Sequence, residues 1–125
     1  MLDYARQRAS AALGNPRTAV LITSGPAGVL TGEFRCTVSD LRLYLLLPQT
    51  SDHLFNLEHE STVTALTATC ELKGQAQILS WAALDLQVDL RHEPDAEWCS
   101  LVCIEISRVQ MRSEDGWRTR ETIDL

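Results

Sequence analysis

Residues 63–79 read VTALTATCELKGQAQIL, and their spacing decides the fold. Here Leu66, Ala68, Cys70, Leu72, Gly74, Ala76 and Ile78 alternate with Thr67, Thr69, Glu71, Lys73, Gln75 and Gln77. Successive side chains on a strand point to opposite faces, so a strict period of two predicts strand with one buried and one polar face. The run exceeds an ordinary strand, so a bend or tight turn is expected near residues 68–71. Gly74 in mid-strand predicts a bulge or a close approach by another backbone.

The same reading extends in both directions. RTAVLITS, 17–24, is a β-branched apolar run ending at the turn signal Gly25-Pro26. A second strand is expected from about Val29 to Val38, and a third over LRLYLLLP, 41–48, with Leu41, Leu43, Leu45 and Leu47 on one face. A long strand should run from Trp98 to about Arg112. Its apolar set changes phase between Val102, Ile104 and Ile106 on one side and Val109 and Met111 on the other, which is the mark of a β-bulge. After the turn residues Glu114, Asp115 and Gly116, the segment WRTRETIDL supplies a final strand. Three stretches have helical spacing instead: residues 2–13, stopped by Gly14-Asn15-Pro16, a short polar helix near 51–59, and residues 81–91. Mostly sequential strands with few helices predict a small antiparallel barrel, mainly β, in one domain of 125 residues.

Composition narrows the chemistry. The net charge is −6, and ten arginines and one lysine are scattered among the acids. A nucleic-acid backbone needs concentrated positive charge, so that partner is excluded. There is no apolar run long enough to span a membrane, and the charged start predicts a cytoplasmic protein. Cys99 and Cys103 are four apart on a strand, about 13 Å, too far to share a disulfide or a metal. With Cys36 and Cys70 they read as reduced core residues. No nucleophile elbow, HExxH, P-loop or dinucleotide fingerprint occurs. Any redox chemistry would come from a cofactor.

Four segments in order carry a resemblance: RTAVLITSG (17–25), LYLLLP (43–48), TSDHLFNLEHESTVTAL (50–66) and ELKGQAQIL (71–79). Together they resemble the pyridoxamine-phosphate-oxidase-like FMN-binding split barrels. The match covers residues 17–79, and the C-terminal third follows by element order. It implies a split β-barrel of Greek-key type, a homodimer with a small-molecule groove at the interface, FMN as cofactor, and a flavin-dependent oxidoreductase as the activity. It also implies cofactor contacts from Arg35, Thr50, Ser51, His53 and Thr69, with hydroxyls and a helix N-terminus receiving the phosphate. Trp117, with Arg118 and Arg120, would suit an aromatic lid or an interface anchor, and an edge-strand tryptophan does equally well.

The residues themselves also support plainer roles. Ser51 and Asp52 suit the start of a helix as N-cap and dipole partner. His53 is most simply an exposed helix residue, and His59 and His92 carry no chemistry. Arg35 faces away from Phe34 and Cys36, toward solvent or a phosphate. Asp52-His53 stands where the resembling family places strong cations, and an aspartate there repels a dianion. A non-catalytic dimer that has lost flavin, or that binds haem or a deazaflavin in the same groove, is the alternative.

Overall fold

A computed structural model describes residues 2–80, 89–112 and 121–125. The expected helix at 81–91 and the Trp117 lid fall wholly or mostly outside those residues. The elements are α1 (Leu2–Leu13), β1 (Thr18–Thr23), β2 (Leu30–Ser39), β3 (Arg42–Pro48), α2 (Asp52–His59), β4 (Thr62–Leu66), β5 (Cys70–Leu79), two 3-10 turns (Asp89–His92 and Ala96–Trp98), β6 (Cys99–Met111) and β7 (Thr122–Asp124).

The strands follow the order β3-β2-β1-β4-β5-β6-β7, all antiparallel, and β3 also pairs with β6. That last pairing closes six strands into a barrel, so no strand of the ring is left with an open edge along its whole length. β6 does two jobs on one side: Cys99–Glu105 pairs with β3, and Arg108–Gln110 pairs with β7.

Inside, Ala19, Leu21, Leu43, Leu45, Leu47, Leu72, Val102, Ile104 and Val109 form the core, joined by Ala9 and Leu13 of α1 and Leu57 of α2. α1 ends at Gly14, whose positive φ lets its N–H return to the Ser10 carbonyl at 3.0 Å. Outside the barrel, Leu46, Cys99 and Leu101 make a second apolar cluster, covered by Leu90 and Ala96 of the 3-10 segment.

The period-two pattern at 63–79 resolves into β4, a turn at Thr67–Thr69, and β5. The Thr67 hydroxyl fastens that turn by accepting from Cys70 N at 3.0 Å. On β5 the inward set is the expected one through Ala76, with Cys70, Leu72 and Ala76 buried, but Ile78 near the end of the strand is exposed. On β4 the expectation is corrected. Val63 and Ala65 face inward, Leu66 is half-buried and Ala68 exposed, because the intervening turn shifts the alternation. The phase jump on the long strand is a bulge: Lys73 pairs with Arg108 and Gly74 with Ile106, leaving Ser107 unmatched. A Cβ at Gly74 would lie 2.2 Å from the Glu105 carbonyl oxygen, so this crossing excludes any side chain. The β2–β3 turn puts Asp40 and Leu41 at φ of 51° and 57°, the paired left-handed conformation of a tight hairpin. Leu41 therefore precedes β3, yet its side chain still reaches the core.

Candidate functional site

α2 begins where β3 ends. Ser51 is its N-cap and accepts the His53 N–H at 3.3 Å, while Asp52 lies in the first turn. Both features follow the sequence reading. His53 does not: its side chain is only 5% exposed, turned into the end of the barrel rather than toward solvent. Its ring packs edge-on against Phe34, with centroids 5.3 Å apart, and lies over Gly32. Gly32 leaves the room the ring needs, since a Cβ there would sit 3.2 Å from Nε2.

A chain of hydrogen bonds fixes that ring. The Asn56 amide donates to Thr23 Oγ1 at 3.1 Å and to the Gly28 carbonyl at 2.9 Å, and its oxygen accepts the Ala27 N–H at 2.9 Å. Thr23 Oγ1 lies 2.7 Å from His53 Nδ1. Because Thr23 already accepts from Asn56, its hydroxyl proton is available for Nδ1. With Nδ1 accepting, Nε2 carries the ring proton, and the Thr31 backbone favours the protonated ring. Burial pushes the His53 pKa below its ordinary 6.5, against the opposing pull of the Asp52 carboxylate and the Thr31 carbonyl. The neutral ring is the form this network holds.

The network ties α2 to the turn between β1 and β2. Gly25-Pro26-Ala27-Gly28 is closed by Gly28 N to Gly25 O at 2.9 Å. A Cβ on Gly25 would meet Asn56 Oδ1 at 2.8 Å, so glycine permits the close approach. Asn56, fully buried, and Thr23, 1% exposed, are the residues that sequence reasoning missed. A buried asparagine within a short helix was the available signal, since asparagine favours caps and turns over helix interiors.

The remaining candidates lie elsewhere. Arg35 is on β2 opposite Thr18, and its neighbours Phe34 and Cys36 face the core, so Arg35 projects from the outer face. His53 packs on the inner side of the same strand, with Phe34 and Gly32. The structure therefore does not bring these two together. Arg35 pairs with Glu93, at 3.0 Å, and with Asp95. The hydrogen bond to Arg35 holds the Asp95 carboxyl below its usual range. Thr69 is in the β4–β5 turn, where its hydroxyl donates to the Ala12 carbonyl at the end of α1, 3.3 Å away. Thr69 and α2 occupy opposite ends of β1, about 17 Å apart for its length. Thr50 is exposed and Ser51 half-buried at the mouth of α2.

On the outer face a cleft of about 460 Å³ opens between the α1–β1 connection and the 3-10 segment. Arg17, Thr18, Arg35, Thr37, Leu90 and Glu93 line it. Cys36 lies at its base with a pKa pushed up to about 11 by burial, so it remains a thiol. Among the described residues no group of histidine, cysteine or carboxylate side chains gathers as metal ligands, and no helix is long and apolar enough to cross a membrane.

A flavin phosphate is a dianion and needs cations and spare donors in one place. At the α2 end, burial favours the neutral form of His53, its Nδ1 is engaged by Thr23, and Asp52 adds negative charge. At the outer face, Arg35 is paired with two carboxylates. As arranged, His53 and Arg35 do not supply the cations of a flavin phosphate anchor.

No protein-family model matches the chain, and no curated protein matches it. Solved structures do. General Stress Protein 26 from Bacillus anthracis str. Sterne aligns with a TM-score of 0.66 at 18% identity, over 99% of this chain and 98% of its own. A protein related to general stress protein 26, of the pyridoxinephosphate oxidase family, from Clostridium acetobutylicum aligns at 0.65 and 10% identity, over 87% and 86%. A heme binding protein from Mycobacterium smegmatis aligns at 0.68 and 15% identity, over 96% of this chain and 57% of that one. The likeness is one of fold: the chain is a split barrel, similar in fold to these proteins.

Proposed function

We propose that this split-barrel chain is a homodimeric ligand-binding protein that lacks the flavin-phosphate anchor its resemblance implies and works without flavin catalysis. The observation that carries this reading is the inward His53. The position that the resemblance assigns to a phosphate-binding cation instead holds a ring bonded to Thr23, whose neutral form burial favours. Asp52 beside it and the doubly paired Arg35 point the same way. The fold supports the dimer with an interfacial groove, since that is the arrangement the resemblance implies.

The second reading keeps FMN, favoured by the hydroxyls of Thr50 and Ser51 at the mouth of α2. In that case the phosphate would rest on hydroxyl and amide donors alone. Purification and titration separate the two. The proposal expects colourless protein with no saturable binding of FMN at micromolar concentration. Yellow protein that releases stoichiometric FMN on denaturation would overturn it and establish the second reading. Haemin belongs in the same titration, because the Mycobacterium smegmatis neighbour is a heme binding protein.

A further inference from the structure

The 3-10 segment crosses the outer face of the barrel and is attached there in two ways. Leu90 and Ala96 are buried against Leu46, Cys99 and Leu101, which anchors the segment by apolar contact. Between those anchors, Glu93 and Asp95 reach across to the Arg35 guanidinium. The two attachments differ in kind. The apolar anchors are shielded from water, whereas the side chains of Arg35, Glu93 and Asp95 are 39%, 36% and 54% exposed. Ion pairs that wet contribute little and exchange readily with ions from solution.

Arg35 also lines the cleft with Arg17, Thr18 and Thr37, and Glu93 forms part of its wall. Two guanidinium groups with hydroxyl donors around a cleft of about 460 Å³ suit a carboxylate or a phosphate. With both acids in place, the four charged groups sum to zero, and Arg35 has no excess charge to offer. If both carboxylates turned away, the same cleft would present two positive charges while Leu90 and Ala96 stayed packed.

We propose that Glu93 and Asp95 are built-in competitors for a small anion: they occupy Arg35 from within the chain and keep the Arg17–Arg35 cleft closed to carboxylate or phosphate ligands until they are displaced. This deepens the reading that the flavin anchor is lost, because it makes the engagement of Arg35 a gate. It does not depend on flavin, and it is tested with simple anions.

The experiment compares the full-length protein with the double variant Glu93→Gln, Asp95→Asn. Inorganic phosphate and succinate are titrated separately by calorimetry at low ionic strength, and the arm with the tighter binding identifies the ligand class. The double variant should bind one of them at least tenfold more tightly than the parent. Adding Arg35→Ala to it should remove the gain. Circular dichroism confirms that each variant is folded, and Glu93→Gln alone provides a milder version with a smaller gain in the same direction. Equal affinity in parent and double variant, or a gain that survives Arg35→Ala, overturns the proposal. Stoichiometric FMN in the purified parent would overturn the function proposed above and leave this comparison intact.

Discussion

At the scale of single residues, Asn56 does more than its place in a polar helix suggests. Its amide satisfies the Gly28 carbonyl and Thr23 Oγ1, and its oxygen satisfies the Ala27 N–H, all at an end of the barrel with little access for water. Asn56→Ala strands those partners, and each stranded buried group costs about 1–3 kcal/mol, so a loss of ~3 kcal/mol in urea unfolding is expected. An effect below ~1 kcal/mol would mean that water replaces the amide. His53 gives a pH prediction with a definite sign. Its folded pKa lies below the ordinary 6.5, so on acidification the unfolded chain takes up the proton first. The contribution to stability is complete above about pH 6.5 and is lost as the pH falls through the lower, folded value. Unfolding free energies measured on both sides of that pH should therefore fall more steeply for the parent than for His53→Gln. Equal slopes would show that the ring is not held neutral. The inward turn of His53 was not legible in the sequence. Its partners Thr23 and Thr31 sit 30 and 22 positions away, and on so short and polar a helix no periodicity marks the buried side.

At the scale of elements, what could be read depended on whether a pattern was local. Gly74 and the phase change after Ile106 were legible because alternation is a property of neighbouring residues, and the two meet in a single bulge opposite Ser107. The inward side of β4 was not, because the turn at Thr67–Thr69 breaks the alternation without changing the composition. Leu41 was read into β3 from its spacing, yet the hairpin turn takes it, at positive φ, and the core keeps its side chain. The crossing at Gly74 is the most demanding contact between elements. A methyl group there would strike the backbone oxygen of Glu105, which cannot rotate away as a side chain would. Gly74→Ala should force β5 and β6 apart, costing at least the ~1–3 kcal/mol typical of overpacking and exposing the Ile106 and Arg108 amides to exchange. Hydrogen exchange localises the effect: protection lost along β6 near Ser107 is expected, and a uniform loss would argue against a local crossing.

At the scale of the whole molecule, the barrel's two ends differ. α1 closes one, with Ala9 and Leu13 in the core and Arg8 paired to Glu121 beside β7. At the other end lie α2, the β1–β2 turn, the C-terminal ends of β3 and β5 and the start of β6. Four of the large apolar residues that remain exposed belong to this second end: Val29 at 75%, Phe55 at 48%, Ile78 at 40% and Trp98 at 69%. Isolated exposed apolar residues carry no meaning, but four on one end of a small barrel suit a surface that another molecule covers. The homodimer proposed above gives them that role. It places the interface beside Thr50 and Ser51, so that the mouth of α2 would face a groove completed by the partner. Sedimentation equilibrium of the parent should give twice the monomer mass. The double variant Phe55→Asp, Ile78→Asp should sediment as a folded monomer, because a charge in a covered apolar patch loses its hydration without gaining a partner. The apparent melting temperature should rise with protein concentration for the parent and stay constant for the variant, since association stabilises only the folded chain. A parent that sediments as a monomer would refute the dimer. A double variant that still dimerises would move the interface to another face.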